Sequence, residues 1–333
     1  MRTLPLAFAA LALASPALAQ ELNIYSQRQP ELIQPILDAF TQETGIAVNI
    51  AYLDKGLTER LTAEGRRSPA DIILTVDISR LAQAVAAGVT QPVESAVLTD
   101  AIPAALRDPG NQWFGVTTRA RVVYAARDRV PEGGVTTYED LADPKWRGRI
   151  CTRSGTHSYN LALMAAMIYH QGAEAARDWA TGVKANLARR PQGNDRAQVK
   201  AIWAGECDIS LGNTYYMGQM LESEEQQAWA NAVRIVYPAF EDGGTHLNVS
   251  GVAMTAASKN TDNALTFMEY LVSDQAQQVY AQINYEFPVR DDVPSSDLVE
   301  SWGSFTPDEA NLMDLAALRA QALRIMEEVD FDG

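Results

Sequence analysis

Apolar and polar positions alternate over Glu21-Leu22-Asn23-Ile24-Tyr25-Ser26, which predicts a short strand. Behind it, Leu32, Ile33, Ile36, Leu37 and Phe40 fall at helical spacing, so residues 30–44 are expected to form a helix that Gly45 closes. A second strand over 46–52, a helix over 57–65 and a third strand over 70–75 complete a β-α-β-α-β order, that of a parallel α/β sheet. Ligands of such sheets bind beyond the carboxyl ends of the strands, here Tyr25 to Gln29 and Val76-Asp77. The same order returns as a strand over 148–152, an Ala-, Leu- and Met-rich helix over 159–171, a helix over 196–204 and a strand over 207–211. No sequence repeat accompanies it. Two short extended segments, 121–125 and 233–237, read as crossings between two lobes. The segment 249–255 then returns to the first lobe with a helix over 260–273, striped by Phe267, Met268 and Leu271. A last helix over 307–329, carrying Leu312, Leu315, Leu318 and Leu323, is expected to pack on the second lobe. The chain is thus divided into a first lobe of residues 20–118 plus 249–290 and a second of 119–248 plus 291–333.

Residues 1–19 stand outside that scheme. One early charge, Arg2, precedes a short apolar run ending in Ala17-Leu18-Ala19, the pattern of a cleavable secretory signal peptide. Pro16 interrupts the run, and no later stretch approaches the roughly 20 continuous apolar residues that a membrane span requires. The mature chain is therefore expected to be exported, to the periplasm, and not to span the membrane. With 42 Asp and Glu against 27 Lys and Arg, the formal net charge of −15 for the full sequence argues against a nucleic-acid partner or a polybasic membrane contact. Cys151 and Cys207 lack the Cys-x-x-Cys spacing of a zinc or redox motif. In an exported chain they are expected to pair as a structural disulfide, the alternative being two buried free thiols.

Chemistry concentrates at four places. Tyr215-Tyr216 follows Gly212-Asn213-Thr214. Adjacent side chains diverge in a strand or a helix, so the two phenols can share one target only where a loop runs into a helix, with Gly212 and Asn213 supplying the turn. Two adjacent tyrosines are more often half-buried packing residues, and this pair alone does not decide between packing and ligation. Arg153-Ser154-Gly155-Thr156-His157-Ser158-Tyr159-Asn160 opens a helix, where free N–H groups and the helix dipole favour an anion; an ordinary Ser/Thr cap is the plainer reading. Tyr25 and Arg28-Gln29 end the first strand, and Arg119 and Arg121 stand at the first crossing, one of them facing the cleft. Phenolate oxygens suit a small trivalent cation such as Fe³⁺, and arginines beside a metal make sense once an oxyanion lies between them.

With those residues in place, the chain resembles the bacterial periplasmic ferric-iron-binding proteins of ATP-binding-cassette importers. The likeness runs through 24–30, 68–77, Trp113-Phe114-Gly115, Thr117-Thr118-Arg119-Ala120-Arg121 and Gly212-Asn213-Thr214-Tyr215-Tyr216. It implies an α/β two-lobed periplasmic binding protein fold, each lobe a mixed, mostly parallel sheet flanked by helices, with the ligand cleft between. It further implies a non-enzymatic, monomeric carrier that hands Fe³⁺ to an inner-membrane permease. In the subgroup most similar, three tyrosines hold the iron, corresponding to Tyr159, Tyr215 and Tyr216. Relatives carry a histidine after the first strand or a glutamate after the third, where this chain has Gln29-Pro30 and Val76-Asp77. The resemblance therefore implies a synergistic carbonate or similar anion, held by Arg28, Arg119 and the helix start at Ser154, Gly155 and Thr156. Tyr25, Gln29, Asp77, Arg121, His157 and Asn213 are candidates for supporting contacts, while His170 and His246 read as structural.

Two other readings keep parts of this picture. The same fold could take a metal-free oxyanion or organic anion on its arginines and helix-start donors. An exported hydrolase using Ser154 or Ser158 with His157 has less behind it, because no Gly-x-Ser-x-Gly elbow occurs and residues so close in a turn rarely form a nucleophile, base and orienter.

Overall fold

The architecture was analysed in a computed structural model that describes residues 21–53 and 55–333, so the expected signal peptide lies outside the described residues. Strand β1 (Glu21–Ser26) leads into α1 (Pro30–Thr44), where Pro30 opens the helix and Leu32, Ile33, Ile36, Leu37 and Phe40 form its buried face. Gly45, at φ 74°, closes it with its N–H on the Thr41 carbonyl, a left-handed cap that favours glycine. Strand β2 (Ala47–Tyr52), α2 (Leu57–Glu64), β3 (Ile72–Thr75), α3 (Ile78–Ala86) and α4 (Ala96–Ala101) follow. The expected β-α-β-α-β order is present, with β1 parallel to both β2 and β3.

Strand β4 (Phe114–Ala126) is buried along its whole length. After it come β5 (Ile150–Cys151), α5 (Ser158–Ala185), α6 (Asp195–Trp203), β6 (Ile209–Asn213), α7 (Tyr215–Glu222), α8 (Gln227–Asn231), β7 (Val233–Val236) and β8 (Leu247–Met254). The chain closes with α9 (Thr261–Tyr270), α10 (Asp274–Gln282), β9 (Phe287–Pro288), α11 (Asp297–Glu300), α12 (Leu312–Ala317) and α13 (Arg319–Glu328). The main strand order is β2-β1-β3-β8-β4-β6-β5, with β7 and β9 also on β4. One half of β4, up to Ala120, pairs with β8; the other, from Arg121, pairs with β6 and β7. A single strand thus joins two sheets, and the switch falls between Arg119 and Arg121. The sheet is mixed: β5 and β6 are also parallel, while every antiparallel pair involves β4 or β8.

Two expectations change at this level. Residues 233–236 are not a crossing but a strand against Val123–Ala126, and the chain returns to the first sheet through β8 instead. A short apolar extended segment fits an edge strand as well as a crossing, so its pattern alone cannot separate them. The helix expected over 307–329 is two, α12 and α13, meeting at Leu318. Asn311 starts the first by accepting the Met313 N–H; α13 packs on α5, and α12 on both α3 and α5.

Two apolar cores result. Leu22, Ile24, Ile36 and Phe40 pack with Phe267 under the first sheet, Phe40 and Phe267 meeting edge to face at 5.0 Å. Val122, Tyr124, Met164 and Trp179 belong to the other. Cys151 and Cys207 form the expected disulfide, with Cα atoms 5.9 Å apart, tying β5 to the chain entering β6. Among the described residues, no helix is long and apolar enough to cross a membrane.

Candidate metal centre

Five helices begin around one cavity of about 160 Å³. Gln29 immediately precedes α1, Arg80 lies in the first turn of α3, Ser158 and Tyr159 open α5, Asn194 caps α6 with Arg196 next in its first turn, and Tyr215 and Tyr216 open α7. Helix starts present unpaired N–H groups and the positive dipole end, so this convergence favours anionic donors and ligands.

The three phenols meet here. Tyr159, Tyr215 and Tyr216 are all buried and all line the cavity; the Tyr159 and Tyr215 hydroxyls stand 3.4 Å apart, and the rings of Tyr215 and Tyr216 lie 4.3 Å apart, centroid to centroid. The geometry that lets neighbours converge is a direct strand-to-helix corner at Thr214, not a loop. Gly212 and Asn213 therefore belong to β6, and glycine serves a different purpose there. A Cβ at Gly212 would stand 2.2 Å from the Tyr124 ring, whose hydroxyl donates to the Asn213 carbonyl at 2.6 Å. Burial, then the nearby Tyr159, pushes the Tyr215 and Tyr216 phenols well up, so without a cation both stay protonated. Tyr159 is ringed by guanidinium groups, those of Arg153, Arg119 and Arg121 standing 5.1, 5.8 and 5.8 Å from its ring centroid.

The arginines divide into paired and open ones. Arg28 lines the cavity but is ion-paired with buried Glu286, which also lines it, so this cation reaches the cavity already compensated. Arg121 does not line it; it is held by Asp195 at 2.9 Å, Asn160 at 2.7 Å and Asn213 at 3.1 Å. Arg119 does line it, donating to the Val76 carbonyl and, at 3.4 Å, to the Ser250 hydroxyl, with no carboxylate partner among the described residues. Arg80 and Arg196 also face the cavity without an ion pair among the described residues, while Arg153 pairs with Asp195 at 3.1 Å.

Several expected residues sit elsewhere. Ser154, Gly155 and Thr156 do not offer their donors to the cavity: the Ser154 hydroxyl and Gly155 N–H hold the Asp332 carboxylate, and the Thr156 N–H turns back to the Ser154 oxygen. The anion at this helix start is the chain's own side chain. Tyr25 points away and donates to Glu64 at 3.0 Å beneath the Arg60 guanidinium. Asp77 caps α3 through the Ser79 N–H and accepts from Asn248 at 2.9 Å, bridging β3 to β8. Asn213 lies behind the site on Arg121 and Asp195. His157 lines the cavity and accepts the Tyr159 N–H on Nδ1 at 3.2 Å, fixing the start of α5; burial, then Arg153, holds it down to about 3, so it is neutral. Gln29 lines the cavity as well, its buried Oε1 unpartnered among the described residues. Sequence reading assigned no role to Gln27, Arg80, Arg153, Arg196 or Glu286. A helix start directly after strand β3 marks Arg80, whereas α6 with Arg196 follows another helix and nothing local marks Glu286, which lies 258 residues from Arg28.

Among the described residues, no group of three His, Cys, Asp or Glu could hold a metal. Residues 67–306, more than half of the chain, match the model of the bacterial extracellular solute-binding proteins. The chain belongs to that family. It is 45% identical to iron uptake protein A1 of Synechocystis over 94% of this chain and 88% of that one. Its fold superposes on the apo ferric ion-binding protein A of Pasteurella haemolytica with a TM-score of 0.91 and 49% identity, over 95% and 99% of the two chains. A Trichodesmium protein solved with iron and citrate ligands is similar at a TM-score of 0.88 and 41% identity, over 93% and 99%. These neighbours carry the two-lobed periplasmic binding protein fold, which is the fold of this chain.

Proposed function

We propose that this protein captures ferric iron in the periplasm through Tyr159, Tyr215 and Tyr216 and delivers it to an inner-membrane ATP-binding-cassette permease, without catalysis. The observation that carries the reading is the meeting of three buried phenols in one cavity where the described residues offer no His, Cys or carboxylate cluster. Phenolate is a hard donor matched to Fe³⁺, and a trivalent ion supplies the energy that removes the phenolic protons in so dry a site. Three phenolates neutralise the ion, so the open cations Arg119, Arg80 and Arg196 call for an additional anion such as carbonate. Arg28 shares its charge with Glu286 and orients that anion rather than balancing it. Names of the relatives, iron uptake and ferric binding, support the same cargo.

Loading the purified protein with Fe³⁺ and bicarbonate is expected to produce the visible phenolate-to-iron charge-transfer band. Tyr215→Phe with Tyr216→Phe should abolish it; a colourless protein under iron-replete conditions refutes the reading. The open arginines also favour a second reading, a carrier of metal-free organic or inorganic anions. Calorimetric titration of the apo protein with such anions, chelator present, separates the two, since only the second gives heat without iron.

A further inference from the structure

Tyr285 stands in the short link between α10 and β9 with φ at 58°, in the left-handed region that a bulky side chain seldom adopts. The residues around it hold that link to the first sheet. The Asn284 amide donates to the Leu32 carbonyl of α1 at 2.8 Å, Glu286 pairs with Arg28, and β9 lies on Thr117 and Thr118 of β4. The Tyr285 ring instead reaches the helix that follows β6 in the second sheet, where it is buried over Gly218 of α7. A Cβ at position 218 would stand 2.2 Å from Cγ of the ring, so this seat requires glycine. One turn further along α7, the exposed Glu222 accepts the Tyr285 hydroxyl. A strained backbone of this kind persists only where the surrounding contacts over-determine it.

The helix held in this way carries two of the three phenols. Tyr215 and Tyr216 open α7, Gly218 lies one turn on from Tyr215, and Glu286, next in sequence to Tyr285, lines the tyrosine cavity. Two consecutive residues thus touch the cavity wall of one sheet and the phenol-bearing helix of the other, and drawing the two apart lifts the ring from Gly218. We propose that Tyr285 is a latch between the lobes, a positioning residue that acts through α7 and sets how slowly the closed cavity gives up its cargo. This rests on the ferric reading above.

Transfer of iron from the loaded mature protein to excess EDTA, followed at the charge-transfer band, tests the latch. Tyr285→Ala removes the ring and should speed release about tenfold, while the band maximum keeps its wavelength and loading from ferric nitrilotriacetate stays within about twofold of the wild-type rate. Gly218→Ala should speed release to a similar degree, because its methyl group takes the place of the ring. In the double variant that methyl group has nothing to displace, so release should match Tyr285→Ala alone. Tyr285→Phe keeps the ring and loses only a hydrogen bond to an exposed carboxylate, so its release should stay within about threefold of wild type. Unchanged release in Tyr285→Ala, accelerations that multiply in the double variant, or a displaced band, which would put the effect at the iron ligands themselves, would each overturn the latch. A wild type that does not colour overturns the ferric reading on which the latch rests.

Discussion

His246 lies buried with both ring nitrogens lacking a hydrogen-bond partner among the described residues. Around it are Phe240 and a void of about 10 Å³ bordered by Ile78, Leu161, Leu315 and Arg319, and its own backbone carbonyl accepts from Arg121. Burial, then the charges of Arg121 and Arg119, holds the imidazole down to about 3. Between that value and the ordinary 6.5, the unfolded chain binds a proton that the folded chain refuses, so stability falls as pH drops through this window. From pH 7 to pH 5 the loss through this one side chain is about 2 kcal/mol. Urea unfolding at the two pH values should show a larger loss than this in wild type, because His157 is held down in the same way, and a response flatter by about 2 kcal/mol in His246→Phe. At the same scale, the meeting of the three tyrosines in one cavity was legible because Tyr215-Tyr216 is unusual in itself and Tyr159 follows a small-residue turn. Ser154, Gly155 and Thr156 were misread for a physical reason: helix-start donors accept any nearby anion, and Asp332 arrives from the far end of the sequence.

Elements built on a strong stripe or alternation were readable, since burial on one face leaves its period in the chain. The stripe of α1 and the order of β1, β2 and β3 are of this kind. Weak periods were not, and the division of 307–329 at Leu318 and the place of β7 depend on contacts with α3, α5 and β4 that no local pattern carries. The disulfide is the firmest link between elements in the second sheet, closing a loop with a sequence separation of 56. Replacing Cys151 and Cys207 together by Ala is expected to lower the unfolding free energy by about 2–4 kcal/mol, measured by denaturant titration, since the open chain regains loop entropy. Iron colour at saturation should be unchanged, because neither sulfur lines the cavity.

At the scale of the molecule, the cavity is walled from both sheets, so a bound cargo fastens them together. Other contacts span the same division: α12 rests on α3 and α5, and the Tyr285 ring lies over Gly218 of α7 with its hydroxyl on Glu222. Iron with bicarbonate should therefore raise the unfolding free energy, by about 4 kcal/mol at a thousandfold excess over Kd. Thermal unfolding followed calorimetrically with and without cargo measures the gain, which Tyr159→Phe should reduce.

Because β4 passes unbroken from one sheet to the other, the two halves share a reading phase. Side chains of a strand change face at every step, so Arg119 on the cavity and Arg121 on Asp195 keep to one side only while a single residue separates them. Losing or gaining one residue there would leave each sheet free to form yet turn its partner's inner face outward. The length of this passage between the sheets is therefore fixed by parity.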